Sequence, residues 1–158
     1  MRVVWREKPG FVHFTAPQGP SAIARHLIRQ RGVSEDLASR FIAPDYDRDL
    51  HDPFLFQDMD TVVSRLEQAK IQGERIGILG DFDADGITSS VIMRETLEAL
   101  GLDLLIHIPH KINEGHGLSA KAVVRFKEAG VRLILTLDCG MMNHEEIKEA
   151  KSLGMETI

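Results

Sequence analysis

The chain has 158 residues, of which 43% are hydrophobic, and its 19 basic and 24 acidic residues give a formal net charge of −5. This length and composition suit one ordinary domain with a buried core and exclude a disordered chain. The acidic balance argues against a protein that holds nucleic acid by bulk charge, although carboxylates that bind metal ions would still bring cations to a phosphate.

Residues 1–56 are predicted to form a lead-in of short helices and loops. Helices are expected over 21–32 and 34–44, where a glycine and a proline end the two apolar patterns. A loop-like stretch follows them, and we expect its apolar side chains to pin it onto a core: Leu50, Phe54, Leu55 and Phe56.

Residues 57–158 are predicted to form the N-terminal part of an α/β domain, because helical and strand patterns alternate along them. The strands are short, nearly continuous apolar runs, which is typical of a parallel sheet with helices on both faces. The expected helices cover 58–73, 87–101, 118–130 and 143–154, and the expected strands cover 75–80, 103–109, 131–138 and 155–158.

The apolar runs also bear on location. None approaches the ~18–20 residues that a membrane-spanning helix needs, and the amino-terminal residues lack the apolar core of a signal peptide. The single cysteine, Cys139, excludes an intrachain disulfide and a cysteine-based zinc site. These features predict a cytoplasmic protein without membrane contact.

Four aspartates follow two of the predicted strands. Asp81, Asp83 and Asp85 lie in the stretch GDFDADG after the first strand, and Asp138 follows the third. Open parallel sheets bind ligands at the carboxyl ends of their strands, so these two acidic turns are expected on the same edge. Carboxylates suit Mg²⁺ and Mn²⁺, and two-metal phosphoryl chemistry needs several of them. The pattern therefore predicts a hydrolytic site that binds divalent metal ions.

The aspartates admit three other interpretations. A calcium-binding EF-hand loop matches Asp81 to Gly86, but its required glutamate falls on Ile92 and a strand precedes the loop. A glycine-rich phosphate loop is disfavoured, because neither of its usual glycine patterns follows the strand. Each aspartate could also be a simple helix cap or turn residue, although the joint pattern with Asp138-Cys139-Gly140 favours the metal site.

The same stretches resemble the DHH phosphoesterase superfamily and, within it, the RecJ-like exonucleases specific for single-stranded DNA. GDFDADGITSS is similar to the family's first motif, GDYDVDGITS, and LILTLDCG is similar to the second. IPHKINEGHGLS at 108–119 resembles the family segment IPNRxxEGYGLS, and RFIAPDYDRDLHDPFLFQDMDTVVSRL resembles the RecJ lead-in. The resemblance covers about residues 20–158.

The resemblance implies a chemistry and a set of site residues. It implies hydrolysis of single-stranded DNA from the 5′ end by water that two Mn²⁺ or Mg²⁺ ions activate. By motif position, Asp81, Asp83, Asp85 and Asp138 would bind metal; the last three would be catalytic, and Asp138 would bridge the ions.

The resemblance also implies substrate contacts and partners. Lys111, His116 and Gly140 would contact the substrate, although the family more often has arginine and tyrosine at the first two positions. Lysine keeps the charge at position 111 but loses the bidentate geometry of arginine. Single-strand-binding proteins or other DNA repair proteins are the expected protein partners.

No Asp-His-His triplet occurs in the 158 residues, and the resemblance places that motif a few residues beyond Ile158. We therefore expect the N-terminal part of a longer nuclease, which supplies some of the metal ligands and hydrolyses little alone. Two alternatives stay open: a DHH-type phosphodiesterase acting on short oligonucleotides or cyclic dinucleotides, and a non-catalytic nucleic-acid-binding scaffold.

Overall fold

The computed structural model describes residues 19–158, and their side chains from residue 23 onward. The chain divides into two compact units, a first that ends at Pro53 and a second, Phe54–Ile158. In the first unit Ile28 and Ala38 are buried. The helices of the first unit are α1 (Gly19–Gln30), α2 (Glu35–Ile42) and α3 (Tyr46–Asp49).

The stretch after α2 differs from its prediction in two ways. It forms the short helix α3, because the carboxylate of Asp45 accepts a hydrogen bond from the Arg48 backbone N–H at 2.9 Å and caps the turn. The prediction that its apolar side chains pin it onto a core is wrong. A single 3₁₀ turn, Pro53–Leu55, is too short to gather them on one face. Their exposed fractions are 59% for Leu50, 54% for Phe54, 75% for Leu55 and 73% for Phe56.

The second unit confirms the predicted α/β class. Its strands form one four-stranded sheet in the order β2-β1-β3-β4, and every pairing in it is parallel. Among residues 19–158, no helix is both long and apolar enough to cross a membrane. Its elements are α4 (Met59–Gln72), β1 (Arg75–Leu79), α5 (Ala84–Ala99), β2 (Asp103–His107), α6 (Ala120–Glu128), β3 (Val131–Thr136), α7 (His144–Ser152) and β4 (Glu156–Thr157).

Helices cover both faces of this sheet, as the sequence predicts. Side chains alternate along a strand, so each strand sends apolar groups to both faces. On one face the sheet packs against α6 and α7, and on the other against α4 and α5. The first core includes Leu79, Ile134, Phe126 and Ala150, and the second includes Ile76, Ile78, Leu133, Ala69 and Leu97.

Candidate metal centre

The two acidic turns leave the sheet side by side. β1 and β3 are neighbours, and beyond the last regular pair the Leu137 N–H still donates to the Leu79 carbonyl at 2.8 Å. The next strand after β1 in sequence, β2, lies on one side of it, and β3 lies on the other. Such a switch in strand order opens a crevice at the carboxyl ends of the strands, where open α/β folds bind ligands.

The turn after β1 begins helix α5 earlier than expected. The Asp83 carboxylate accepts from the Gly86 backbone N–H at 3.0 Å and caps the helix, which therefore starts at Ala84 and not at Ile87. Asp83 and Asp85 are both exposed. The capping bond holds the Asp83 carboxylate at the positive end of the helix dipole, where a negative charge is favoured.

Glycine is required where α5 approaches the end of β1. A Cβ atom on Gly86 would lie 2.5 Å from both Cα and the carbonyl oxygen of Asp81, which is closer than atoms pack. A Cβ on Gly80 would lie 2.7 Å from the Gly86 carbonyl oxygen. The Ser90 hydroxyl donates to that same carbonyl at 2.7 Å. The glycines of GDFDADG thus let the helix start sit directly against the strand end.

Asp81 uses both carboxylate oxygens within the chain. Oδ1 accepts from the Phe82 backbone N–H at 2.7 Å, and Oδ2 lies 2.7 Å from Nδ1 of His116. Burial alone would raise the pKa of this carboxyl, but the bonds from Phe82 and His116 outweigh it and the pKa lies below its usual value. Asp81 is therefore a carboxylate that accepts both bonds, and His116 donates from Nδ1.

Asp138 occupies an unusual backbone conformation. Its φ is +57°, in the left-handed region that aspartate tolerates better than most residues, and Gly140 follows with a φ of +69°. Asp138 is exposed. The carboxylates of Asp85 and Asp138 make no hydrogen bond or ion pair with any residue that the structure describes.

Cys139 lies close enough to both acidic turns for their charges to act on its thiol. Its thiol donates to the Leu137 carbonyl at 3.0 Å and lies 3.6 Å from the Leu79 carbonyl. Burial first, and then the charges of Asp81 and Asp138, raise the pKa of this thiol. A thiol with a raised pKa is a poor nucleophile at neutral pH.

The 108–119 loop brings two more predicted residues to this edge. The rings of His116 and Phe82 have centroids 4.3 Å apart. The Lys111 ammonium lies 5.3 Å from the Phe82 ring centroid, within cation–π range. The His116 side chain is 68% exposed although Asp81 holds it. Lys111 and His116 thus flank the acidic turn, while Gly140 lies in the turn after β3.

The prediction missed three polar residues behind this loop. His107, the last residue of β2, bonds Glu114 through Nε2 and Arg125 through Nδ1, both at 2.8 Å. The side chains of His107 and Glu114 are 5% and 6% exposed. Glu114 belongs to the EGHG stretch, which the sequence marks only as part of a motif. Nothing local in the sequence marks His107 or Arg125, because α6 supplies the arginine from across a loop.

The described carboxylates suit a divalent metal ion in type but not in number. Asp83, Asp85 and Asp138 offer the hard oxygen donors that Mg²⁺ and Mn²⁺ prefer. Within residues 19–158, however, no three His, Cys, Asp or Glu side chains converge closely enough to hold an ion. This chain fits part of a divalent-metal site, and the role of the four aspartates as ligands stays a prediction.

A family model described as "DHH family, N-terminal domain" matches residues 75–158. The single-stranded-DNA-specific exonuclease RecJ of Bacillus subtilis is 38% identical over 132 residues, which are 84% of this chain and 17% of that protein. The enzyme of the same name from Thermus thermophilus is 45% identical over 93 residues, which are 59% and 14%. The chain therefore spans 17% and 14% of the length of these two relatives.

Two solved structures have a similar fold. A crystal structure of exonuclease RecJ bound to manganese aligns with a TM-score of 0.57 and 41% identity, covering 61% of this chain and 25% of that one. A crystal structure of RecJ from Thermus thermophilus in complex with Mn²⁺ aligns with a TM-score of 0.60 and 32% identity, covering 85% and 18%.

Proposed function

We propose that this chain, which belongs to the DHH family, forms the N-terminal catalytic part of a metal-dependent 5′-to-3′ exonuclease for single-stranded DNA. The observation that supports this proposal most directly is that two acidic turns meet at the ends of β1 and β3, within the segment that the family model matches. Relatives named as single-stranded-DNA-specific exonucleases support the choice of substrate.

In this proposal the aspartates divide into two groups. Asp83, Asp85 and Asp138 would hold Mn²⁺ or Mg²⁺, together with ligands from the rest of the full-length protein. Asp81 would also lie against the ions, although its two oxygens are bonded to Phe82 and His116. Such ions, when bound, lower the pKa of a water molecule so that it can attack a phosphodiester, and they neutralise charge on the phosphate.

The remaining site residues would bind the DNA strand. Lys111 is exposed and would meet a phosphate as a point charge. The exposed imidazole of His116, whose Nδ1 proton is committed to Asp81, would offer its other edge to the substrate. Phe82 contacts both side chains and presents an aromatic ring of the kind on which bases stack. Gly140 would let the strand approach the turn after β3 closely.

Substrate and polarity are tested directly with the full-length protein. Long single-stranded DNA, labelled at either end, is incubated with Mn²⁺ or with a chelator, beside duplex DNA and dinucleotides. We expect metal-dependent release of nucleotides from the 5′ end of single strands and slow cleavage of duplex DNA. Faster cleavage of dinucleotides would instead support a short-oligonucleotide or cyclic-dinucleotide phosphodiesterase. DNA binding without cleavage would support a non-catalytic scaffold.

The cellular setting follows from the proposed substrate. An enzyme that digests single-stranded DNA would act in DNA repair and recombination, in the cytoplasm where the chromosome of a bacterial relative lies. Single-strand-binding protein would be the expected partner, because it covers the same substrate. Co-purification of the full-length protein with single-strand-binding protein, resistant to nuclease treatment, tests this expectation.

A further inference from the structure

Three side chains form a hydrogen-bonded chain behind the 108–119 loop. Arg125 Nη1 can only donate, so His107 Nδ1 accepts its bond. The proton of the neutral imidazole must then sit on Nε2, which donates to the Glu114 carboxylate at 2.8 Å. The arginine thereby selects one tautomer of His107, and that tautomer is the one able to hold Glu114.

Glu114 ties the two ends of the loop to β2. Besides the bond from His107, its Oε1 accepts from the His110 backbone N–H at 3.2 Å. The Ser119 hydroxyl lies 3.4 Å from its Oε2, and the Lys121 ammonium lies 3.7 Å from its Oε1. Burial raises the pKa of Glu114, but the bonds from His107 and His110 and the charge of Lys121 outweigh it, and the pKa lies below its usual value. An ionised carboxylate thus sits almost wholly inside the protein.

The rest of the loop is shaped so that its exposed part turns towards the acidic edge. His116 lies between Gly115 and Gly117, whose φ angles are +74° and +83°. A Cβ on Gly117 would collide with Asn143, whose side-chain oxygen accepts from the Leu118 backbone N–H at 3.3 Å. Asn143 begins α7 but makes no side-chain cap to that helix, because its oxygen is used on the loop.

We propose that Glu114, with His107 and Arg125, is a positioning device for the substrate strand: it holds Lys111 and His116 beside the acidic turn that follows β1. Glu114 is buried and would not touch the DNA itself. It would act only through the two exposed side chains that its loop presents. This inference rests on the proposed function and assigns a task to residues that the metal chemistry does not use.

The test compares Glu114→Gln with the unsubstituted full-length protein on 5′-phosphorylated single-stranded DNA with Mn²⁺. Glutamine keeps the size but brings an N–H₂ group against a donor, so one bond of the network is lost. We expect KM to rise about tenfold and kcat to change less than about threefold, the signature of weakened strand binding. Arg125→Ala, at the more exposed end of the network, should shift KM in the same direction by a smaller factor.

A second measurement separates positioning from simple loss of stability. Glu114→Gln is added to a Lys111→Ala/His116→Ala background, where the two presented side chains are already gone. We expect little further rise in KM, because Glu114 acts only through them. The matched control is Glu74→Gln, which breaks the partly buried pair of Glu74 with Arg65. The control should lower the melting temperature without changing KM.

Hydrogen exchange measures how firmly Glu114 holds the 108–119 loop, independently of activity. In Glu114→Gln the amides of Asn113, Glu114 and Leu118 should exchange about tenfold faster or more than in the unsubstituted protein. Faster exchange with an unchanged KM would overturn the proposal, and so would a full additional KM increase in the Lys111→Ala/His116→Ala background. If the unsubstituted protein neither cuts nor binds the DNA, the proposed function itself is wrong. The role of Glu114, His107 and Arg125 in positioning the substrate is then wrong as well.

Discussion

At the scale of single residues, the four aspartates differ in how their carboxylates are used. Asp81 is buried and holds His116, whereas Asp83 caps α5 with one oxygen. Asp85 and Asp138 are exposed, and neither pairs with a residue in the described part of the chain. In the proposed site, Asp83, Asp85 and Asp138 are therefore the carboxylates that we expect to take up metal ions.

Substitution of Asp83 or Asp138 by asparagine should abolish hydrolysis and spare the fold. Asparagine is a good helix cap, so Asp83→Asn keeps α5, and it tolerates the left-handed conformation of Asp138. We expect the exonuclease rate of the full-length protein to fall by a factor on the order of 100 or more, since each change removes one anionic metal ligand.

The control for these variants is Asp103→Asn at the start of β2. Asp103 is an exposed aspartate paired with Arg75 at the opposite end of the sheet, so its loss should leave the rate unchanged. Urea titrations should give similar free energies of unfolding for all three variants. Rates within about tenfold of the unsubstituted protein for Asp83→Asn or Asp138→Asn would rule out their role as ligands.

At the scale of elements, the contact between β1 and α5 decides where the acidic turn lies. Gly86→Ala would place a methyl group against the Asp81 backbone, which cannot move without shifting the strand or the helix. We expect a loss of about 1–3 kcal/mol in the free energy of unfolding. The exonuclease rate should fall as well, because the acidic turn is displaced. Urea denaturation and the exonuclease assay measure the two effects.

Gly101→Ala is the matched control for this contact. Gly101 follows α5 with a φ of +81°, and no atom lies within 4 Å of the position that a Cβ would take. Alanine should cost about 1 kcal/mol of backbone strain there and leave hydrolysis unchanged. Equal losses of exonuclease rate in Gly86→Ala and Gly101→Ala would show that the contact between the start of α5 and the end of β1 does not matter specifically for hydrolysis.

The loop between β2 and α6 should give the protein a defined acid sensitivity. The fold lowers the pKa of Glu114 from its ordinary value of 4.5. The contribution of ionised Glu114 to the free energy of unfolding is therefore complete above pH 4.5. It is lost as the pH falls through the lowered pKa of the folded protein. Glutamine does not titrate, so the advantage of the unsubstituted protein over Glu114→Gln in free energy of unfolding should be constant above about pH 4.5 and shrink as the pH falls below it.

Urea titrations at a series of pH values measure that difference. A constant difference across the range would mean that the Glu114 network does not discriminate between the charged and the protonated carboxyl. A difference that grows as the pH falls would mean that the fold raises the pKa of Glu114 and does not lower it. Either result would count against the tautomer chain from Arg125 through His107 to Glu114.

At the scale of the whole second unit, two cores hold the sheet between its helices. Phe126 of α6 is fully buried, and a Cβ on Gly77 in the middle of β1 would lie 2.8 Å from its ring. Phe126→Ala should therefore cost about 3–5 kcal/mol. Val124 lies on the same helix and is 46% exposed, so Val124→Ala should cost far less. Urea denaturation compares them, and equal costs would contradict the assigned core.

Sequence patterns anticipated the fold of the second unit because its signals are local. Apolar runs bounded by glycines marked the strands, and the alternation of elements implied a parallel sheet, as observed. The patterns failed for Leu50 and for the run at 54–56, which are exposed. An apolar run without a helical or strand period does not say which way its side chains face.

The sequence by itself determined that acidic turns follow two strands of a parallel sheet, and so that they share an edge. Only the tertiary structure decided that Asp81 pairs with His116 and that His107 joins Glu114 to Arg125. Strand and turn signals arise from neighbouring residues, whereas these bonds join groups from different elements. Their partners become defined only when the elements have packed.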